Sequence, residues 1–400
     1  MALTDYKVAF DNSYQEIFQK TLVAKDIMNM RLEPMLTYGG SVTRVALDLS
    51  SAIVRTVTRG SASTIDSITD SAETLTVNLE KEIAFHLSDG EVTQTGPLKA
   101  MQFAGKELAR KLAIDLDGRC FAEVLNASYA FDNGDLTTGT ASGTPITLNS
   151  TTVPQMVTRL GAKLRHKNNQ EVMTNMALVV DSYAASDISQ FIISKNIDMA
   201  GAVFKNGYAG DVSTAQMYIS ENLTSTSVLS IATTPTDGDT VTIAGVVFTF
   251  KTTLGVTAGN VAIGGSADAA RLNLSELINA PGTTDAGQVA LSAADQITMS
   301  KYVATDSASA NTLTLVGTGT GRTLVSETLT DGTDAWTLNY LNCYYGKKGA
   351  IDLVVQDSKE VDVRPTADRR GNNIFSSYLA GIKTFADGAK KFLNVKILVA

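Results

Sequence analysis

The stretch that decides the fold is GPLKAMQFAGKELARKLAIDLDGRCFAEVLNA, Gly96 to Ala127. Gly96 and Pro97 open it, because proline in a first helical turn gives up only an amide that would have had no partner. Leu98, Met101, Leu108, Leu112, Leu116, Cys120 and Val124 recur three, four or seven residues apart, one stripe of a 3.6-residue helix. The other face carries Glu107, Lys111, Asp115, Arg119 and Glu123 as opposite charges four apart, each pair worth ~0.3 kcal/mol. Thirty-odd residues at ~1.5 Å each make a rod of ~45 Å. The spacing therefore predicts a spine that runs between parts of the protein.

The rest of the 400-residue chain is too long for one hydrophobic core, so two or three domains are expected. A hydrophobic fraction of 44% with 18% charged residues is that of a folded protein, and no apolar run of eighteen exists to cross a bilayer. The first twenty residues mix charges throughout, unlike a secretory signal. Cys120 and Cys343 stand far apart and fit no metal spacing; a buried thiol and a disulfide both stay open. A net charge of −8 argues against a general nucleic-acid binder, whose footprint is a basic patch.

Taken in order, residues 1 to 40 read as an N-terminal arm in which Phe10, Tyr14, Phe18 and Leu22 repeat every four residues. Ser41 to Leu87 turns to strand texture and reads as a long two-stranded arm around the polar tip GSASTIDSITD. Its charges segregate, with Arg44, Arg55 and Arg59 on the outgoing half and Asp66, Asp70, Glu73 and Glu80 on the return. After the spine come a helix over Val153 to His166, a buried-strand run over Met176 to Val180, and Asp181 and Ser182 as helix caps, the alternation of a compact α/β domain.

Composition shifts abruptly at Thr224. From there to Leu338 the chain is rich in Thr, Ser, Gly and Ala, and four basic residues face ten acids, so this segment contributes −6 of the total −8. Thr240 to Phe250 predicts a hairpin about Ala244-Gly245, and Ser266 caps a helix carrying Leu272 and Ile278. The segment reads as a small α+β module inserted into another domain and facing solvent. Beyond it, SYLAGIKTF and KKFLNVKILVA flank Asp387-Gly388 as a closing hairpin.

No catalytic constellation emerges. Gly317, Gly319 and Gly321 in VGTGTGR have neither the dinucleotide nor the Walker spacing, and read as a turn. Asp115 and Asp117 are two apart on a helix and cannot face one another. His86 and His166 fall in different elements, so neither a triad nor a two-histidine metal site is expected. Arg369-Arg370 is a loop pair suited to a phosphate or to a neighbour's carboxylate. No catalytic, cofactor-binding or metal residue is assigned.

The order of parts and the passage AETLTVNLEKEIAFHLSDGEVTQTGPLKAMQFAGKELARKLAIDLDG resemble the major capsid protein of tailed bacteriophages, the Hong Kong 97 type of fold. The GDTVTIAGVVFTF…GNVAIGGSADAARLNLSELINA portion is similar to modules inserted into phage virion proteins. The resemblance implies an α+β fold divided into an N-terminal arm (1–40) and an extension loop (41–87). A peripheral domain follows (88–150, completed by 376–400), with an axial domain (151–223, completed by 339–375) and a surface insertion domain (224–338). It further implies a non-enzymatic shell subunit without cofactors, forming hexamers and pentamers around double-stranded DNA bound without sequence specificity. Its partners would be a portal protein, a scaffolding protein and a cement protein; it would touch no membrane, assemble in the bacterial host cytoplasm and reside in the virion. The candidate inter-subunit contacts are Arg44, Arg55, Arg59, Asp66, Asp70, Phe10, Phe18, Arg369 and Arg370. Some members of that family join subunits by an isopeptide bond from a loop lysine, yet Ser41 to Glu80 contains no lysine.

Three other readings compete. An encapsulin-type nanocompartment shell shares the fold but gives no reason for the insert. A secreted surface adhesin explains the Thr/Gly-rich segment and leaves the spine unexplained. A hydrolase lacks an assembled nucleophile, base or metal set.

Overall fold

A computed structural model describes residues 22–32, 34, 40–48, 56, 59–60, 65, 69–88, 97–139, 141–167, 174–195, 208–212, 215–357, 362–365 and 370–399. Phe10, Phe18, Arg55, Asp66 and Arg369 lie outside the described residues. The chain divides into two compact units, Met1–Ala113 with Lys348–Lys391, and Ile114–Lys347 with Phe392–Ala400.

The first unit opens with a one-turn 3-10 helix, Ala24–Asp26, whose neighbours Ile27 and Met28 are buried. Strands β1 (Ser41–Asp48) and β2 (Thr69–Thr76) then pair antiparallel in unbroken register, from Ser41 opposite Thr76 to Asp48 opposite Thr69. Strand β3 (Leu79–Leu87) leaves this hairpin and pairs elsewhere, so the two-stranded arm ends at Thr76 rather than at Leu87. Helix α1 (Pro97–Ala122) follows and continues as a 3-10 turn, Glu123–Asn126. Leu108, Leu112, Leu116, Cys120 and Val124 are buried, as their spacing requires. On the outer face Arg119 reaches Asp115 at 2.9 Å, while Glu107 pairs with Arg110 at 3.3 Å.

The second unit contains β4 (Tyr129–Phe131), α2 (Thr152–Lys167), β5 (Met176–Val180), α3 (Ser182–Lys195), β6 (Tyr208–Val212) and β7 (Ala215–Ile219). All five residues of β5 are buried, and β5 runs parallel to β7. The inserted segment adds β8 (Thr224–Ser230), β9 (Thr240–Ile243), β10 (Val246–Lys251), β11 (Asn260–Ala262), α4 (Ala267–Asn279), α5 (Ala293–Met299), β12 (Tyr302–Ser307), β13 (Thr312–Gly317) and β14 (Val325–Glu327). Strand β15 (Ala335–Lys347) closes it. The first unit resumes with β16 (Asp352–Asp357), β17 (Asp362–Pro365), β18 (Asn372–Lys383) and the one-turn helix α6 (Ala386–Ala389), after which β19 (Phe392–Leu398) returns to the second.

These strands form one large sheet and three smaller ones. The large sheet runs β12-β13-β8-β15-β5-β7-β6, with β19 on β15 and β4 on β19; β11-β10-β9-β14 form a second sheet. In the first unit β18 pairs with β16 and β17 along one edge and with β3 along the other. The closing hairpin expected around Asp387-Gly388 is therefore absent: β18 and β19 belong to different sheets. Asp387 and Gly388 sit inside α6, where a Cβ on Gly388 would fall 2.1 Å from the Ala350 carbonyl oxygen. That glycine admits a neighbouring backbone and is not there to reverse the chain.

The inserted segment has its own apolar core, in which Leu229, Val241, Phe248, Phe250, Leu274 and Leu313 are fully buried. Its β9–β10 hairpin turns at Ala244 (φ 50°) and Gly245 (φ 85°), the two left-handed residues of a tight turn matched to strand twist. Val241, Ile243, Val246 and Phe248 all point inward. Ser266 caps α4 by accepting the Ala269 N–H at 3.2 Å. Ala270, Leu274, Leu277 and Ile278 make the buried stripe, and Leu272, 200° round the helix from Ala270, is 48% exposed rather than inside. Strand β15 continues past Leu338 as one strand, with a register shift between Trp336 and Leu338, pairing with β8 through Asn342 and with β5 from Tyr344 onward.

Candidate functional site: the hairpin base and its surroundings

Among the described residues a charged cluster lies where the β1–β2 hairpin meets α6. Val42 and Arg44 share one face of β1, opposite Leu75 and Glu73 on β2. Leu75 is fully buried with Val77, Val354 and Phe385. One pair further along, Arg44 and Glu73 reach α6 instead of each other. The Arg44 Nη2 donates to Asp387 Oδ2 at 3.0 Å, and its guanidinium stands 5.4 Å from the centre of the Phe385 ring. A Glu73 carboxylate oxygen accepts the Ala386 N–H at 2.9 Å. Arg44 thus has an acidic partner within its own chain.

Asp387 is shared, because Lys391 also donates to it at 3.2 Å. Partial burial pushes its pKa up, but the bond from Lys391 and the charges of Lys391 and Arg44 outweigh this and hold it below the usual carboxylate range. Asp352 behaves in the opposite way. Burial lifts its pKa, Asp387 adds to the lift, and the Asn29 amide, Arg44 and Lys391 only partly offset it. Asn29 also bridges to β16 through its backbone: it donates to Ile351 O at 2.8 Å and accepts from Leu353 N at 3.0 Å.

The other expected contact residues that the structure describes lie outside this set of bonds. Arg59 is exposed in a turn with Gly60 (φ 88°), Asp70 is exposed on β2 opposite Leu47, and Arg370 is exposed just before β18. His86 Nδ1 hydrogen bonds to Asn373 Oδ1 at 2.9 Å across the β3–β18 pair, and His166 is exposed near the end of α2. Cys120 and Cys343 are both free and buried, and burial pushes both thiols well above their ordinary range. The VGTGTGR segment is a turn, with Gly319 (φ 63°) and Gly321 (φ 59°) in left-handed conformations, and Arg322 donates to buried Asp181 at the head of α3.

Two features of the inserted segment were not readable from charge counting. Arg271 is fully buried and bonded to Asp268, to Asp306 at 2.8 Å and to the Ile231 carbonyl at 2.6 Å. The acids serve as loop staples. Asp334 accepts the Ala232 and Thr233 N–H groups and the Thr233 hydroxyl, and Asp239 accepts from the Thr236 N–H and from the Thr330 N–H and hydroxyl. The repeated pairing of Asp with Thr in this stretch was the available signal.

Among the described residues no group of three or more His, Cys, Asp or Glu could hold a metal ion, and no helix is long and apolar enough to cross a membrane. A cleft of about 380 Å³ lies between Leu148, Val153 and Phe191, and Asp187 is the one titratable side chain in its lining.

No family model matches this chain, and no curated protein matches it. Among solved structures it is similar to a chain of Mycobacterium phage Che8, at 14% identity and a TM-score of 0.48, with 93% of this chain and 90% of the other covered. It is also similar to the capsid of Ralstonia phage GP4 (7% identity, TM-score 0.44, covering 93% and 87%). A third is the capsid of cyanophage P-SCSP1u, at 10% identity and a TM-score of 0.43, covering 90% and 84%. Likeness at this level assigns no residue of this chain a role.

Proposed function

We propose that this chain is the major capsid protein of a tailed bacteriophage, a structural subunit whose copies tile an icosahedral shell around packaged double-stranded DNA. The observation that carries the reading is the order of parts: a β hairpin packed at its base, a 26-residue helix shared between two compact units, and a sheet interrupted by a module with its own core. A subunit built this way offers separate projecting parts for neighbours to grip, and spreading weak contacts over several surfaces suits a large closed assembly.

In this reading the copies form hexamers and pentamers in the host cytoplasm, with a portal protein, a scaffolding protein and a cement protein as partners, and the mature shell is part of the virion. Arg59, Asp70 and Arg370, all exposed, are contacts to neighbouring copies, together with Arg55, Asp66, Arg369, Phe10 and Phe18. The segment from Thr224 to Leu338 faces outward, since its −6 charge repels like assemblies. The test is electron microscopy of the full chain, expressed alone and together with the other head proteins of its genome. Closed icosahedral shells support the proposal, and a monodisperse monomer under both conditions overturns it.

A further inference from the structure

We infer that Arg44 and Glu73 form a two-point latch that fixes the base of the β1–β2 hairpin to α6, the stretch through which the chain leaves the first compact unit. The two residues face each other across the hairpin, the place where an opposite-charge pair ordinarily bonds to itself. Each is turned instead to consecutive residues of one short segment: Arg44 to Phe385 and Asp387, Glu73 to the Ala386 N–H. Four residues beyond Asp387, Lys391 is the last residue of the first unit.

The packing beneath the latch has the same target. Leu75 and Val77 are buried against Phe385 and Val354. A Cβ on Gly381 would fall 2.8 Å from Thr76 O and 3.1 Å from Val77 Cα, so only glycine lets β18 come this close to the hairpin. Beyond Arg44 the side chains described, Val45 at 60% exposure, Asp70 and Ala72, are exposed. Apolar packing seats the foot of the hairpin, and the two charged contacts, one residue pair higher, set its direction. The Arg44–Asp387 pair is half exposed, so salt weakens it. The latch is a charge-controlled hinge, and it does not depend on the capsid reading.

Amide hydrogen exchange of the purified full chain tests it. In R44Q/E73A, exchange of residues 42–47 and 70–75 should accelerate roughly five- to tenfold, the effect expected from losing one exposed ion pair and one charge-assisted bond. Amides of β10 and α4 should not change. E73Q keeps an oxygen to accept the Ala386 N–H and should recover much of the protection that E73A loses. In wild type, 1 M salt should accelerate the same hairpin amides and leave E73A/R44Q nearly unaffected. Unchanged hairpin exchange in the double variant overturns the latch. Should that variant exchange everywhere, R44Q alone decides: faster hairpin exchange of about two- to fivefold supports the latch, and wild-type exchange overturns it.

Discussion

A side-chain carbon on Gly118 would stand 2.6 Å from the α-carbon of Gly319, and one on Gly319 would stand 2.8 Å from the α-carbon of Gly118. Helix α1 and the turn after β13 therefore meet backbone to backbone, and the turn belongs to the inserted segment. Gly319 serves this contact, while Gly317 packs against Ser225 and Tyr302 and Gly321 against the Glu221 carbonyl.

Replacing Gly118 by alanine should cost about 1–3 kcal/mol, because neither backbone can yield without disturbing its own hydrogen bonds. Gly319→Ala should cost more, since φ at 319 is 63° and a side chain adds left-handed strain to the clash. Gly265→Ala meets nothing within 4 Å and has no positive φ, so it is the control. Thermal unfolding of the three variants measures the order, and a Gly118→Ala protein as stable as Gly265→Ala would contradict it.

Arg271 should be the most sensitive charged residue of the inserted segment. Arg271→Ala leaves Asp306 and the Ile231 carbonyl without their donor in a buried place, a loss of about 3 kcal/mol or more. Trp336, the only tryptophan of the chain, packs against the same core and bonds to Ser326 O at 3.2 Å. Its fluorescence in a urea titration reports the segment's unfolding directly, and an unshifted midpoint would refute the assignment.

Asp352 should make a pH-dependent contribution of unusual sign. Its folded pKa is raised, burial being the chief cause, so the stability it contributes is full below the ordinary carboxylate range and is lost as pH rises through the folded value. Asp352→Asn keeps an oxygen for the Asn29 amide and carries no charge to bury. The variant should melt higher than wild type at pH 7, and the gap should close as pH falls toward 4. A gap that widens on acidification would show that the ionised form is the favoured one.

Particles made from this chain should have no covalent links between subunits. Ser41 to Glu80 offers three arginines and no lysine, and a guanidinium with a pKa above ~12 is no nucleophile for an amide. Both cysteines are buried, which closes the disulfide route. Boiling particles in reducing detergent should give one band near 42.3 kDa, and a ladder of multiples would disprove it.

What the sequence revealed and what it hid divide along physical lines. Helix α1 and the β9–β10 hairpin were legible because their signals are local: a seven-residue stripe, or two residues able to adopt positive φ. The misread pair β18–β19 failed for the complementary reason. Asp387-Gly388 lies in a one-turn helix between two strands, and nothing local states which sheet each flanking strand joins. The charge pattern misled once: Asp239 and Asp334, which it reads as part of a solvent-facing surface, are buried staples. Arg44 has Asp387 and Phe385 beside it, contacts that charge segregation along the hairpin does not announce. Hydrogen bonds between residues about 100 apart, such as Asp334 to Thr233, leave no periodic trace.

The unbroken course of β15 sets an order of events during folding. Asn342 donates to the Thr224 carbonyl at 3.1 Å across 118 residues of chain, and closing a loop of that length in an unfolded chain costs about 4 kcal/mol of entropy. The inserted segment holds within that loop a tight hairpin, β9–β10, and a second adjacent pair, β12–β13, whose contacts are close in sequence and form early. Once its core has condensed, β8 and β15 emerge side by side, and most of the closure has been done before β5 and β19 add to β15. Trp336 should therefore reach native fluorescence in stopped-flow refolding before the β5 and β19 amides become protected in pulse-labelled exchange. Protection of β5 ahead of Trp336 would reverse the order, and a substitution such as Phe248→Leu should delay both steps together, because the module nucleates the sheet that surrounds its own ends.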